Sequence, residues 1–236
     1  MAARVLILGD SVMKGVVFDS LKNRYQLIKD SVVQRFARET QLEITNGAVF
    51  GATIEKGEQL LQRRKDTLKD YQYALVEFGG NDCDFDWKAI AVDPHAEHKP
   101  KTTIDEFSER YETLIADLRA QGVRPVLMSL PPLDADRFFA TISKGLDGNA
   151  ILSWLGGYKD TIYRWHESYN MAILKLAKNL QTPIVDVRSA FLIRPNYRDY
   201  LCEDGMHPNE KGHQLILETF LSFIRERQAS LAAGVD

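Results

Sequence analysis

Four short segments of the chain carry side chains that could perform nucleophilic catalysis. They are Gly9-Asp10-Ser11, Asn46-Gly47 with the nearby Gly51, Gly79-Gly80-Asn81-Asp82, and Asp204-Gly205-Met206-His207-Pro208. A serine hydroxyl is a poor nucleophile until a general base takes its proton. Histidine changes its charge near neutral pH, which makes His207 the candidate base for Ser11. Asp204 precedes His207 by three residues and is placed to accept its second ring N–H. The pattern predicts a Ser11–His207–Asp204 triad.

Alternating strands and helices are expected to position these segments. Short apolar runs predict five strands, at Arg4–Leu8, Leu42–Asn46, Tyr73–Phe78, Arg124–Leu130 and Pro183–Val187. Helical spacing indicates helices between and after them, at Tyr25–Thr40, Glu58–Lys69, Thr103–Gln121, Tyr163–Leu180 and Asn209–Arg227. The alternation is typical of βαβ units with a parallel sheet, and predicts a three-layer α/β/α sandwich. Ligands of such sheets bind at the carboxyl ends of the strands, where the first three polar segments follow strands one to three.

The four segments, taken in this order, resemble the blocks of the SGNH hydrolases, also called the GDSL esterase/lipase family. GDS at 9–11 matches the nucleophile block, although Val12 stands where the family has leucine or another aliphatic residue. NGAVFGAT at 46–53, GGND at 79–82 and DGMHP at 204–208 match the other three. The resemblance implies a flavodoxin-like fold with a five-stranded parallel sheet. It also implies an oxyanion hole formed by the N–H groups of Ser11 and Gly51 and the amide of Asn81, with Gly47 as the alternative to Gly51.

The acidic side chains beside these blocks have structural interpretations. Asp10 is expected to cap the helix that begins after it or to hold the turn, and Asp82 to cap a helix or orient the Asn81 loop. A capping box is predicted from Thr103 and Glu106.

Three histidines, His95, His98 and His166, show no ligand spacing and are expected at the surface.

Aromatic residues are the candidates for substrate contact. Phe85 and Trp87 follow the Asn81 loop, and Trp154 and Tyr158 lie in an aromatic-rich, loop-like insertion at about 134–165. This insertion could form a lid or one wall of the pocket, or its aromatic residues could pack it onto the domain. Because polar residues are mixed with these rings, we expect a small-molecule ester substrate with a short acyl group, with O-acetyl groups on carbohydrate as one candidate. A lipase or thioesterase acting on longer acyl chains is the alternative.

Composition limits the other function classes. The 236 residues are 44% hydrophobic and 27% charged, which is typical of a folded globular protein. A net charge of −3 argues against nucleic acid as a partner. No apolar run approaches the ~20 residues of a membrane span, and the apolar run near the N-terminus is too short for a signal peptide. Cys83 and Cys202 form no disulfide framework and no metal-binding spacing. We expect one cytoplasmic domain over 1–236 with no cofactor and no metal; the oligomeric state stays open.

Some of these residues would also suit two other functions. A metal-dependent phosphoesterase could use Asp10, Asn81, Asp204 and His207, but dinuclear sites need more histidine and carboxylate ligands than converge here. A binding module on a hydrolase-like scaffold would have no need of a base and its orienting acid.

Overall fold

The computed structural model describes residues 3–232, and its centre is a five-stranded parallel sheet. The strands are β1 (Arg4–Gly9), β4 (Glu43–Asn46), β5 (Tyr73–Glu77), β6 (Arg124–Met128) and β7 (Ile184–Val185). They lie in the order β4-β1-β5-β6-β7, and every neighbouring pair is parallel. A separate antiparallel hairpin consists of β2 (Val16–Asp19) and β3 (Arg24–Leu27). The predicted α/β fold is confirmed.

Helices cover both faces of this sheet. They are α1 (Ser11–Lys14), α2 (Val32–Thr40), α3 (Ile54–Gln62), α4 (Trp87–Val92), α5 (Ile104–Ala120), α6 (Ala135–Ile142), α7 (Gly148–Trp154), α8 (Asp160–Asn179), α9 (Val187–Leu192) and α10 (Glu210–Ala232). Successive side chains of a strand point to opposite faces. Leu6 and Leu8 accordingly pack with α3, α5 and α8, whereas Ile7 packs with α2, α9 and α10. Two apolar cores result, one in each space between the sheet and a helical layer.

Three local predictions were wrong. The proposed helix Tyr25–Thr40 begins only at Val32, where Ser31 and Gln34 form a capping box; its first residues belong to β3 and pair with β2. The helix expected from Glu58 to Lys69 begins at Ile54 and ends at Gln62, before a 3₁₀ turn. Thr103 is the N-cap of α5, but its side chain makes no capping hydrogen bond.

The segment 134–165 is helical and not loop-like. It contains α6, α7 and the first turns of α8, and Asp134 and Asp147 cap α6 and α7 by accepting hydrogen bonds from their first N–H groups. The aromatic residues here pack with those around α4 into a third apolar cluster, formed by Phe85, Ile90, Leu133, Phe138, Ile151, Leu155 and Ile162 with partly buried neighbours. Packing against α4 therefore gives this insertion a small core of its own.

An apolar cavity of about 670 Å³ lies at the amino ends of the strands. Val5, Tyr73 and Arg124 line it from the sheet, and Phe223 and Arg227 line it from α10. It is therefore at the opposite end of the sheet from the segments that carry the candidate catalytic residues. Across residues 3–232, no helix combines the length and the apolar character that crossing a membrane requires.

Candidate active site

Ser11 lies at the carboxyl end of β1, as the first residue of α1. Asp10 caps this short helix, because its Oδ1 accepts a hydrogen bond of 2.8 Å from the Val12 N–H. Gly9 is required in the turn, since a Cβ there would lie 2.9 Å from Glu77 Oε2 and 3.1 Å from the Met13 side chain. Only 5% of Ser11 is exposed. The turn from strand to helix therefore holds the serine hydroxyl in a nearly closed site, and the helix-capping prediction for Asp10 is confirmed.

A continuous chain of hydrogen bonds joins Asp204, His207 and Ser11. Asp204 Oδ2 lies 2.6 Å from His207 Nδ1, and His207 Nε2 lies 2.9 Å from Ser11 Oγ. Asp204 is fully buried, and its Oδ1 also accepts the backbone N–H groups of Met206 and His207, each at 3.1 Å. A carboxylate at Nδ1 favours the tautomer with the proton on that nitrogen, which leaves Nε2 free to accept the serine proton. The arrangement is that of a nucleophile, a base and an orienting acid.

The loop with Asp204 and His207 is held at both its ends and its middle. Cys202 donates its N–H to His207 O at 2.8 Å, and Leu201 pairs with Pro208 as an antiparallel bridge. In the middle, the Asp134 N–H donates to Gly205 O at 2.8 Å and Thr141 Oγ1 donates to Asp204 O at 3.3 Å. The insertion is thus in direct contact with the catalytic loop, through α6.

Asn81 is connected to the nucleophile turn through Asp10. Its Nδ2 donates to Asp10 Oδ2 at 2.9 Å, so the amide of Asn81 is held beside Ser11. The following residue, Asp82, accepts the N–H of Ile54 at 3.0 Å and the hydroxyl of Thr102 at 2.7 Å. Burial raises the pKa of Asp82 to about 6, against these hydrogen bonds, which lower it. Asp82 therefore fastens the Asn81 loop to the first turn of α3, a role close to the predicted one.

The backbone of the second block distinguishes its two glycines. Gly47 donates its N–H to Ile7 O at 2.9 Å, so this donor already has an acceptor next to the strand. Gly51 is exposed, has a φ of +70°, and has no acceptor for its N–H among residues 3–232. The loop between them is tied to the nucleophile turn by Val49 N–H, which donates to Gly9 O at 3.0 Å. Gly51 therefore matches the requirement for a free donor better than Gly47 does.

Two aromatic rings that sequence reasoning missed lie against His207. The Tyr25 ring from β3 is 5.1 Å from the imidazole, and the Phe50 ring lies parallel to it at 6.2 Å. The two rings are 5.3 Å apart, and 41% of Tyr25 and 48% of Phe50 are exposed. Burial and the nearby Asp204 carboxylate raise the pKa of Tyr25 to about 12. Phe50 directly precedes Gly51, a predicted donor to the oxyanion. This position in the sequence was the signal that could have identified Phe50 as a residue of the site.

The four aromatic residues expected to contact substrate have different positions. Phe85 is buried, and its ring is 5.8 Å from Trp87 and 5.0 Å from Trp154, so these three pack against one another. Tyr158 is 67% exposed. Met206, next to His207, also packs against this cluster. Substrate contact by these residues remains a prediction.

Several other polar and titratable groups are buried in the protein. Burial raises the pKa of both Asp10 and Glu77, and raises that of Glu77 well above its ordinary value. His166 was expected at the surface, which was wrong: it is buried, with its ring next to the Arg188 guanidinium. Burial, reinforced by Arg188, lowers the pKa of His166 to about 3, and burial lowers that of His213 to about 4. Residues 3–232 contain no group of three histidine, cysteine or carboxylate side chains placed to hold a metal ion.

Comparisons with known proteins identify the family to which this chain is similar. The model of the GDSL-like lipase/acylhydrolase family matches residues 7–215. The lipoprotein YqeF of Bacillus subtilis (strain 168) is 26% identical over 212 residues, which are 85% of this chain and 73% of that protein. The GDSL esterase/lipase WDL1 of Oryza sativa subsp. japonica is 23% identical over 167 residues, 70% of this chain and 57% of the relative.

Solved structures with the same fold include a lipase/acylhydrolase and an acetylxylan esterase. A lipase/acylhydrolase from Enterococcus faecalis superposes with a TM-score of 0.66 at 18% identity, over 95% of this chain and 96% of that one. A variant of Axe2, an acetylxylan esterase from Geobacillus stearothermophilus, superposes with a TM-score of 0.65 at 16% identity, over 95% of both chains. At these identities the likeness concerns the fold.

Proposed function

The chain belongs to the GDSL-like lipase/acylhydrolase family and is an ester hydrolase, and we propose that it hydrolyses short-acyl carboxylic esters, with O-acetyl groups on carbohydrate as its substrates. The observation that carries the proposal is the hydrogen-bonded chain from Asp204 through His207 to Ser11. Nucleophile, base and orienting acid are already in contact, so the substrate has only to bring a carbonyl carbon to Ser11 Oγ.

The geometry supports a two-step acyl transfer. His207 Nε2 takes the Ser11 proton as Oγ attacks the carbonyl carbon, and Asp204 stabilises the imidazolium that forms. The tetrahedral intermediate collapses when the C–O bond to the alcohol breaks, and His207 gives its proton to the leaving oxygen. A water molecule, deprotonated by the same nitrogen, then attacks the acyl-serine. This attack forms a second tetrahedral intermediate. When the bond from its carbon to Ser11 Oγ breaks, the carboxylic acid is released and His207 returns the proton to Ser11.

Three donors are assigned to the oxyanion of the intermediate. They are the N–H groups of Ser11 and Gly51 and the amide of Asn81. Asn81 Nδ2 has two N–H bonds and uses one for Asp10, which leaves the other for the substrate oxygen. Fixed donors of this kind stabilise the charge where it develops, without reorganisation during the reaction.

The surroundings of Ser11 support a small acyl group and a ring-shaped alcohol. Ser11 and His207 are almost completely buried, while the neighbouring residues Tyr25 and Phe50 are about half exposed. Flat aromatic faces beside a polar catalytic group suit the C–H face of a sugar ring, whose hydroxyls remain free to hydrogen bond. A solved structure with this fold is an acetylxylan esterase, which is consistent with such a substrate. The 670 Å³ apolar cavity is at the other end of the sheet and is not adjacent to Ser11.

The alternatives are less consistent with the contacts of the acidic residues. In the phosphoesterase interpretation, Asp10 and Asp204 would bind metal, but their oxygens already accept hydrogen bonds from Val12, Asn81, Met206 and His207. A pure binding module would not require the hydrogen bond between His207 and Ser11. The longer-chain lipase or thioesterase remains the second candidate, because the family includes lipases by name. A cytoplasmic location also remains a prediction.

A series of p-nitrophenyl esters from acetate to palmitate tests the proposal, with EDTA present throughout. We expect hydrolysis of the short esters by the wild type and its loss in Ser11→Ala. Acetate release from acetylated xylooligosaccharides should then exceed that from an acetylated aliphatic alcohol. A maximum on long acyl chains would replace the deacetylase proposal by the lipase alternative, and activity that survives Ser11→Ala would contradict the mechanism.

A further inference from the structure

A buried carboxyl group that the mechanism does not use lies directly behind the nucleophile turn. Glu77 is the last residue of β5 and is 1% exposed. Its Oε2 accepts the backbone N–H of Asp10 at 3.1 Å, which brings the Glu77 carboxyl group next to Asp10, and a hydrogen bond between the two side chains lowers the pKa of Asp10 against the larger effect of burial. Two buried carboxylates in contact cannot both be ionised, so such a pair holds a proton between them.

The hydrogen-bond donors around the pair decide which carboxyl group carries that proton. Asp10 accepts from Val12 N–H at 2.8 Å and from Asn81 Nδ2 at 2.9 Å, through different oxygens. Glu77 accepts one backbone N–H, that of Asp10. Donors stabilise the ionised form, so Asp10 is the carboxylate and Glu77 is the acid. Burial and the Asp10 charge raise the pKa of Glu77 well above its ordinary value, in agreement with this assignment.

We propose that Glu77 is a protonated positioning residue that donates its hydrogen to Asp10, and that Asp10 thereby holds the Asn81 amide toward the oxyanion. The inference rests on the proposed function for the role of Asn81. Glu77 touches neither substrate nor the reacting atoms. It acts through Asp10, because a neutral hydrogen-bond donor at this position keeps the Asp10 carboxylate fixed without adding a second charge to the site.

Several charged or titratable groups face the pair from the surrounding elements. Asp82 follows β5, Tyr111 approaches from α5, and His207 approaches Asp10 from the loop before α10. Asp82 adds negative charge, which favours the protonated form of Glu77. Loss of the shared proton at high pH would place a second negative charge behind the oxyanion hole, and this should lower the rate.

Infrared spectroscopy tests the protonation state independently of activity. At pH 8 the wild type should show the C=O stretching band of a buried protonated carboxyl group. The band should be absent in Glu77→Gln and retained in Asp82→Asn, which controls for the second buried acid. A wild type without the band, or a Glu77→Gln variant that retains it, would overturn the proposal even if no substrate had been found.

Kinetics with p-nitrophenyl acetate test the positioning role. Gln can accept the Asp10 N–H and donate to its carboxylate, so Glu77→Gln should retain kcat within about threefold and lose the alkaline decline of the wild type. Glu77→Leu offers neither bond and should lower kcat by roughly 10- to 100-fold with little change in KM, less than the 10²–10³ of a deleted donor. Ser129→Ala removes a buried polar group at the end of the neighbouring strand β6 and should leave the rate unchanged. Equal losses in Glu77→Gln and Glu77→Leu would overturn the inference.

Discussion

Gly205 lies between Asp204 and His207, the proposed acid and base, and provides a sharp test of how the insertion holds the loop that contains them. Its φ is +77°, and a Cβ at this position would lie 2.5 Å from Phe138 N and 2.7 Å from Asp134 O. Ordinary contacts of this type begin near 3.4 Å, so Gly205→Ala must move the loop and α6 apart by about 1 Å. A displacement of ~1 Å in a catalytic group can lower a rate by about 10²-fold.

The stability effect of Gly205→Ala has two parts. Alanine in the left-handed region costs about 1–2 kcal/mol, and overpacking adds roughly 1–3 kcal/mol. For a domain of this size each kcal/mol lowers Tm by about 2–4 °C. Gly156→Ala is the matched control, because Gly156 has a φ of +74° and no heavy atom within 4 Å of its Cβ position. The control should show only the first part.

The assay combines thermal unfolding with p-nitrophenyl acetate hydrolysis for the wild type and both variants. We expect Gly156→Ala to lose a few degrees in Tm and no activity. Gly205→Ala should lose at least twice as much in Tm and about 10²-fold in kcat at a temperature where it is folded. Equal kcat values for the two variants would refute the conclusion that close packing of α6 positions Asp204 and His207.

Four other substitutions have defined expectations. Asp204→Asn should retain the fold and lower kcat about 10⁴-fold, because the amide favours the wrong tautomer of His207; a smaller effect at pH 7 would argue against its orienting role. Asn81→Ala should lower kcat about 10²–10³-fold with KM nearly constant, and a change in KM alone would exclude it from the oxyanion hole. Burial lowers the pKa of His213 to about 4, so the unfolded state binds a proton that the folded state does not, and stability falls as pH drops from about 6.5 to 4. His213→Leu should remove on the order of 3 kcal/mol of that fall, seen as a flatter dependence of Tm on pH. Phe50→Leu should lower kcat/KM for acetylated xylooligosaccharide relative to that for p-nitrophenyl acetate by roughly 3- to 10-fold, as expected for the loss of one stacking contact with the sugar ring.

The strands, and the contact of Ser11 with His207 and Asp204, could be predicted from the sequence because both have strong local signals. A central parallel strand is buried on both faces and appears as a continuous apolar run, as in Arg4–Leu8. The run from Pro183 predicted a strand of five residues, whereas β7 contains only Ile184 and Val185. The polar residues that follow the first three predicted strands could be assigned to one site because a parallel sheet brings the carboxyl ends of its strands together at one edge.

Features that depend on contacts between distant segments could not be predicted. The hairpin β2–β3 is short, and its second strand is exposed, so residues 25–27 were included in the predicted helix that starts at Tyr25. His166 is buried because α8 packs it against Arg188, and spacing along the chain contains no trace of that contact. The Tyr25 ring reaches His207 from strand β3 and the Phe50 ring from the loop after β4, and the contact of Glu77 with Asp10 joins residues 67 positions apart.

The triad assignment can be tested by covalent labelling with a fluorophosphonate, which reacts with a serine only when a neighbouring base activates it. Intact-mass measurement and peptide mapping should show one adduct per chain, on Ser11, and none in Ser11→Ala. The Glu77→Gln variant should still be labelled, whereas His207→Ala should react far more slowly. An unlabelled wild type, or an adduct on any other residue, would contradict the assignment of Ser11 as the nucleophile.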